Sequence, residues 1–172
     1  MNLIVIADRR WGIGKDGRQP FFLKEDLRRF RELTLGGCVI MGRRTLEGLP
    51  GGRPLSGRRN LVLSRTPGFV PEGAEVCRSP EQAAALAGPE AFVIGGAGVY
   101  RAMLPWCVQA YVTRVEEAFP ADCWMVDLDR APEWRLAERS ALIQEQGLHY
   151  RFARYVRAVS YTHLTLPTIC SV

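Results

Sequence analysis

The sequence predicts a single α/β domain built on a doubly wound, mixed and mostly parallel sheet with an antiparallel C-terminal edge. Three observations predict it. Short apolar runs alternate with helix-period segments over the first two thirds of the chain, as crossover-linked parallel strands require. The last two apolar runs have no helical pattern between them, which suits an antiparallel pair. A length of 172 residues with 47% hydrophobic content fits one compact domain with an ample core.

Residues 3–7 read as a buried strand, and the glycine-rich stretch 9–17 that follows reads as an irregular, mobile loop. Residues 24–34 turn helical, with Leu23, Leu27, Phe30 and Leu33 or Thr34 on one side and Gly36-Gly37 as the stop. Residues 38–41 form a second strand. A brief helical patch after Gly42 breaks at Pro50-Gly51-Gly52. Residues 60–64 give a third strand and 75–78 a weaker one. Residues 80–87 form a helix with Ser79 as N-cap and Pro80 at the first helical position. Residues 91–94 are the most apolar strand and run through Gly95-Gly96-Ala97-Gly98 into a helix ending near Met103. Residues 110–115, 134–138 and 149–156 complete the strands. No internal repeat or linker divides the chain.

Residues 158–172 contain no Lys, Arg, Asp or Glu, although these recur throughout the preceding chain. Their text resembles translated cloning or adapter sequence, with a short genuine terminal strand as the alternative. The expected domain is therefore 1–157, followed by a non-native or disordered tail.

Composition narrows the function classes. The longest apolar runs are strand-sized, far short of the roughly 20 residues of a membrane-spanning helix. The N-terminus has no basic leader and reaches Asp8 before any cleavage site, so a cytoplasmic protein is expected. Five widely spaced cysteines without a C-x-x-C pair, and two histidines, predict reduced thiols and no metal site. A net charge of +5 permits nucleic acid or an anionic small ligand. The arginines are dispersed and not interleaved with aromatics, which disfavours nucleic acid.

Three places carry chemistry. Asp26 falls within the apolar stripe of its helix, flanked by Phe22, Leu23, Leu27 and Phe30. Burial there raises a carboxyl pKa and makes it available to hold an amide-like ring or pass a proton. The alternative is a first-turn acid that favours the helix dipole and pairs with Arg29. Gly95-Gly96-Ala97-Gly98-Val99-Tyr100, between a strand and a helix, admits a phosphate close to the backbone. It lacks the G-x-G-x-x-G spacing, since Arg101 stands at the last position, so a tight turn is the competing explanation. Gly42-Arg43-Arg44-Thr45, with Arg65 after the next strand, clusters guanidinium groups suited to a highly charged anion such as the 2′-phosphate of NADPH.

These segments, with Gly12-Ile13-Gly14, Pro20-Phe21-Phe22-Leu23-Lys24-Glu25-Asp26, Gly52-Arg53-Pro54-Leu55-Ser56-Gly57-Arg58-Arg59-Asn60 and Leu63-Ser64-Arg65, occur in an order and at intervals that resemble dihydrofolate reductase of the bacterial chromosomal type, over roughly residues 1–157. The resemblance implies an NADPH-dependent oxidoreductase that reduces dihydrofolate. It implies that Asp26 holds the pterin amidine edge and promotes N5 protonation, with Thr113 supporting the carboxylate. Phe21, Leu27, Phe30, Leu49, Leu55, Ile94 and Tyr100 would bind substrate, and Arg58 would pair with its α-carboxylate. Ala7, Ile13 and Gly14 would flank the nicotinamide. Gly42, Arg43, Arg44, Thr45, Ser64 and Arg65 would hold the adenosine phosphate. Gly95, Gly96, Ala97, Gly98 and Val99 would take the pyrophosphate and nicotinamide, with a cis Gly95-Gly96 bond. A monomer open to antifolate inhibitors is implied.

The chain departs from the family pattern at Phe21, where many members have Trp, at Gln19, where an apolar residue is common, and at Ala97, within a run of glycines. Two other readings compete: an NADPH reductase of the same fold acting on a ribosylated pyrimidine in flavin biosynthesis, and a non-catalytic nucleotide- or nucleic-acid-binding protein. Asp26 inside an apolar stripe favours the pterin.

Overall fold

In the computed structural model, which describes residues 1–158, strands and helices follow the predicted order. The strands are β1 (Asn2–Ala7), β2 (Gly12–Gly14), β3 (Cys38–Gly42), β4 (Arg59–Leu63), β5 (Glu75–Cys77), β6 (Phe92–Gly95), β7 (Gln109–Val115), β8 (Cys123–Trp124), β9 (Trp134–Arg139), β10 (Ile143–Glu145) and β11 (Leu148–Arg157). The helices are α1 (Lys24–Thr34), α2 (Arg43–Gly48), α3 (Pro80–Ala87) and α4 (Ala97–Met103). The expected tail, from residue 159 on, lies outside the described residues.

The main sheet runs β10-β11-β7-β1-β6-β3-β4-β5, with β9 also on β11. From β5 to β7 every pairing is parallel, and β11 reverses against β7. The predicted mixed sheet with an antiparallel edge is therefore present. β10 and β9 share one flank of β11, β10 along Leu148–Tyr150 and β9 along Ala153–Arg157, with an irregularity in the β9 pairing at Arg154/Tyr155.

Period-two alternation assigns the two faces. Leu3, Val5, Ile40, Leu61, Val93 and Val112 pack in one core with Ala83 of α3 and Met103 of α4. Ile4, Val39, Met41, Val62 and Ile94 face the other way, with Leu33 of α1 and Leu46 of α2. Ile6, Phe21, Leu23 and Val115 extend that second face. Helices cover both faces, as a doubly wound sheet requires.

Two helices match their sequence boundaries, and Ser79 caps α3 by accepting the Gln82 N–H at 3.1 Å. Two expectations need correction. The stretch 9–17 is not wholly irregular, because Gly12–Gly14 pairs with Cys123–Trp124. A partner more than a hundred residues away leaves no local trace in glycine density. The apolar stripe of α1 is also not a packed stripe: Phe22 is 68% and Leu27 50% exposed. Leu23 and Thr34, at the two ends, are fully buried, while Asp26, Arg29, Phe30 and Leu33 between them are partly exposed. The helix is anchored by apolar burial at its ends, and between them it meets the sheet through Asp26 and Arg29 rather than through a continuous apolar stripe.

Candidate active site

Parallel strands end on one side of a sheet, and in open α/β folds ligands bind outside those C-terminal ends. Here the ends of β1, β3, β4, β6 and β7 bring Ala7, Gly42, Ser64, Gly95 and Thr113 to one edge. Register makes this explicit: Ile6 lies opposite Thr113, and Met41 opposite Gly95.

Asp26 reaches this edge from the first turn of α1. Its Oδ1 accepts the Thr113 hydroxyl at 2.6 Å, and Thr113 is itself buried on the α1 side of β7. Burial pushes the Asp26 carboxyl above its ordinary value. The Thr113 hydrogen bond and the Arg29 charge pull it down, and the Glu145 charge pushes it up again. Pairing of Asp26 with Arg29 is not what the helix does. The Arg29 guanidinium instead lies over the Phe152 ring at 4.4 Å and near the Tyr111 ring at 5.5 Å. Its residual attraction does not offset the burial of Asp26.

Apolar groups share this face of the sheet with the carboxylate. Phe21 is buried and meets the Phe119 ring edge-on at 4.9 Å. Gln19 turns back to donate its Nε2 to the Phe21 carbonyl at 2.7 Å, which gives that departure a structural task. Leu49, Leu55 and Ile94 are partly buried against the second core, Phe30 is partly buried as well, and Leu27 is exposed. Arg58 lies at the far end of α1, held by the Ser56 carbonyl at 2.9 Å and the Thr34 hydroxyl at 3.1 Å. Tyr100 is placed differently from the other apolar residues. Its ring is in the opposite core, and its hydroxyl reaches the Ile4 and Ile94 carbonyls at 2.7 and 2.9 Å.

The two strand-to-helix turns meet side by side. The Gly95-Gly96 bond is cis. A Cβ on Gly42 would approach Val99 Cγ2 to 3.0 Å, and a Cβ on Gly95 or Gly96 would lie 3.5 or 3.7 Å from Thr45 Oγ1. The glycines thus keep open a shallow cradle between α2 and α4. Neither helix has a side-chain cap at its start. Ala97 and exposed Gly98 begin α4.

Arg44 and Arg65 are exposed beside this cradle. Arg43 is already engaged: it donates to Glu47 at 3.0 Å and Thr66 at 3.2 Å, and lies over Phe69 at 5.1 Å. Ser64 is buried, and its oxygen accepts the Thr66 N–H at 3.2 Å. Ala7, Ile13 and Gly14 line up on the β1–β2 side, where a Cβ on Gly14 would meet Cys123 Sγ at 2.8 Å. Two surface hollows elsewhere, one around Gly37, Arg59 and Ala91 and one around Arg9, Arg114 and Arg151, contain neither Asp26 nor the glycine turns. Convergence of strand ends, rather than hollow shape, locates the site.

Sequence reasoning missed two acids that organise this edge. Glu145 caps α1 from β10, and nothing local announces it. Asp8 gathers backbone N–H groups after β1; a carboxylate just after a strand and four residues before a glycine is a turn signal that was there to be read.

Comparison with known proteins agrees with this geometry. The dihydrofolate reductase family model matches residues 1–157. The chain is 43% identical over 150 residues to the dihydrofolate reductase of Mycobacterium tuberculosis (strain CDC 1551 / Oshkosh), covering 85% of this chain and 91% of that one. It is 36% identical over 160 residues to the enzyme of Neisseria meningitidis serogroup B, covering 91% and 98%. Among solved structures it resembles the dihydrofolate reductase from Enterococcus faecalis complexed with NADP(H) and RAB-propyl, with a TM-score of 0.81, 30% identity, and coverage of 91% and 95%. With a family match over residues 1–157 that includes both glycine turns and Asp26, the chain belongs to the dihydrofolate reductase family.

Proposed function

We infer that this protein reduces 7,8-dihydrofolate to 5,6,7,8-tetrahydrofolate with NADPH. The observation that carries the reading is the half-buried Asp26 carboxylate, hydrogen-bonded to Thr113 at the strand edge that also carries the Gly95-Gly96 turn.

The glycine cradle suits a dinucleotide, because the space that a Cβ at Gly95 or Gly96 would fill lets phosphates approach the backbone, while Gly42 lets the two turns pack closely at Val99. Gly95 through Val99 would hold the pyrophosphate segment. Gly42, Thr45, Ser64 and the arginines Arg43, Arg44 and Arg65 would hold the adenosine phosphate, with exposed Arg44 and Arg65 the cations most available to it. Ala7, Ile13 and Gly14 would flank the nicotinamide. Bound NADPH supplies the hydride that goes to C6 of the pterin.

The protein's own share is orientation and one proton. The Asp26 carboxylate can accept hydrogen bonds from the pterin amidine edge, and its raised pKa makes it a readier route for a proton toward N5 than an exposed carboxyl would be. Thr113 fixes the carboxylate orientation. Phe21, Leu27, Phe30, Leu49, Leu55 and Ile94 supply the apolar walls. Tyr100 supports the Ile94 wall through its backbone. Arg58, pre-positioned by two hydrogen bonds, is suited to the substrate carboxylate.

Antifolates that mimic the pterin edge compete for the same acid. We place the protein in a reducing cytoplasm, which suits the free thiols Cys38, Cys77, Cys107 and Cys123, and take it to act as a monomer. No helix among the described residues is long and apolar enough to cross a membrane. The test is NADPH oxidation by the purified chain with and without dihydrofolate, with NADH as cofactor control. Dihydrofolate-dependent consumption that prefers NADPH is expected. NADPH binding without turnover of dihydrofolate would overturn the reading.

A further inference from the structure

We propose that Asp8 is a positioning residue that fixes the nicotinamide-side turn and the Phe21 wall together. The proposal rests on the reductase reading above. Asp8 directly follows β1 and is only 1% exposed. Its Oδ1 accepts the Arg10 and Gly12 N–H groups, both at 2.8 Å, and its Oδ2 accepts the Phe119 N–H at 3.1 Å. A carboxylate held only by backbone donors is satisfied by them or not at all, since burying an unpaired charge is costly. Both flanking segments are built around it.

The Oδ1 side shapes the β1–β2 turn. Asp8 N–H donates to the Gly12 carbonyl at 2.9 Å, and Trp11 N–H to the Asp8 carbonyl at 3.0 Å. Trp11 adopts a φ of 65°, in a region that bulky residues avoid unless their surroundings enforce it. Gly12 leaves no room for a side chain: a Cβ there would lie 3.0 and 3.1 Å from the Asp8 oxygens and 2.8 Å from Ala121 Cβ. This turn delivers Ile13 and Gly14 to the edge next to Ala7.

The Oδ2 side reaches the substrate wall. The Phe119 amide is held by Asp8 while the Phe119 ring packs edge-on against Phe21 at 4.9 Å. One carboxylate thus sets two walls through separate oxygens. That separation makes the proposal testable.

Asp8→Asn turns its amide so that oxygen keeps the Arg10 and Gly12 donors, and its NH2 then faces the Phe119 N–H, donor against donor. Asp8→Ala loses both sides. Phe119→Leu keeps the amide bond and removes the ring. Steady-state KM values for both ligands, and amide hydrogen exchange at Gly12 and Phe119, should be measured on the full chain. Asp8→Asn is expected to raise the dihydrofolate KM severalfold, with the NADPH KM within twofold of wild type and faster exchange at Phe119 but not Gly12. Phe119→Leu should reproduce the KM split without the exchange change, and Asp8→Ala should raise both KM values.

Loss of active protein with both KM values unchanged, or an equal rise of both in Asp8→Asn, would overturn the proposal. If the Asp8 variants do not fold, Phe119→Leu decides, and an unchanged dihydrofolate KM there overturns it. Wild-type protein that fails to turn over dihydrofolate would instead remove the reductase reading on which the proposal stands.

Discussion

Glu145, on β10, accepts the backbone N–H of Lys24, the first residue of α1, at 2.6 Å. Its other oxygen takes the Tyr150 hydroxyl at 3.0 Å and lies 3.5 Å from the Glu25 N–H. Leu23, at the N-cap position, has no side chain that accepts a hydrogen bond. A strand near the other end of the chain therefore supplies the cap that the helix lacks. The same charge pushes the Asp26 carboxyl upward.

Glu145→Gln keeps an oxygen for Lys24 and removes the charge. The Asp26 pKa should fall, although burial still holds it above normal. Hydride transfer requires the proton, so its decline with rising pH should begin at lower pH than in wild type. Single-turnover rates across pH check this, and an unshifted profile would show that the Glu145 charge does not reach Asp26. The hydrogen bonds to Lys24 and Tyr150 hold the Glu145 carboxyl below its ordinary value. The cap is therefore complete above the unfolded pKa, near 4.3, and is lost as pH falls through the lower folded value.

Asp26→Asn removes the proton route while preserving shape and the oxygen that faces Thr113. Turnover at pH 7 should fall by about 10²-fold or more, with a smaller deficit at low pH, where preprotonated substrate reacts. Stability should move the other way. A carboxyl with a raised folded pKa contributes its stability below the unfolded value, about 3.9, and loses it as pH rises through the folded value. The Asn variant should therefore resist urea better than wild type at pH 7, with the gain vanishing below about pH 4. Wild-type turnover in this variant would remove Asp26 from its role.

Thr113→Val replaces a buried hydroxyl by a methyl of similar size. The Thr113 hydrogen bond opposes the rise in the Asp26 pKa, so the variant should carry a still higher value and hold its rate to higher pH. Its maximum rate should drop, because the carboxylate is no longer oriented. Loss of the bond should cost about 1–3 kcal/mol. A pH profile superimposable on wild type would show that Thr113 is only packing.

What the sequence made legible was local. Helical spacing with the Gly36-Gly37 stop placed α1, and the Ser79-Pro80 start placed α3, both at their observed bounds. Asp26 was identifiable because a carboxylate stood among Phe22, Leu23, Leu27 and Phe30. That stripe is itself open to solvent at Phe22 and Leu27, which are largely exposed. Burial of the acid comes from Thr113 and the sheet edge, which chain spacing alone does not show. β8 and β10 are two and three residues long, too short for any period to register. The contributions of Asp8 and Glu145 depend on partners 111 and 121 residues away. Local patterns carry no information about such pairings.

Arg58 and Gly42 lie at opposite parts of the proposed site, and their variants should separate the two ligands. The Arg58 guanidinium is oriented by Ser56 and Thr34, and burial together with the neighbouring Arg31 charge lowers its pKa, a mark of a cation short of anionic partners. Arg58→Ala should weaken dihydrofolate binding by about tenfold to a hundredfold, the range of a lost charge-assisted hydrogen bond, while NADPH binding changes little. Gly42→Ala places a Cβ 3.0 Å from Val99 Cγ2, in the turn that faces the Gly95-Gly96 cradle. Its damage should fall on NADPH, with dihydrofolate affinity of the folded protein preserved. Titration of each variant with each ligand gives four dissociation constants. Equal losses along either row would point to general destabilisation, whereas opposite losses would locate substrate and cofactor on the two sides of Asp26.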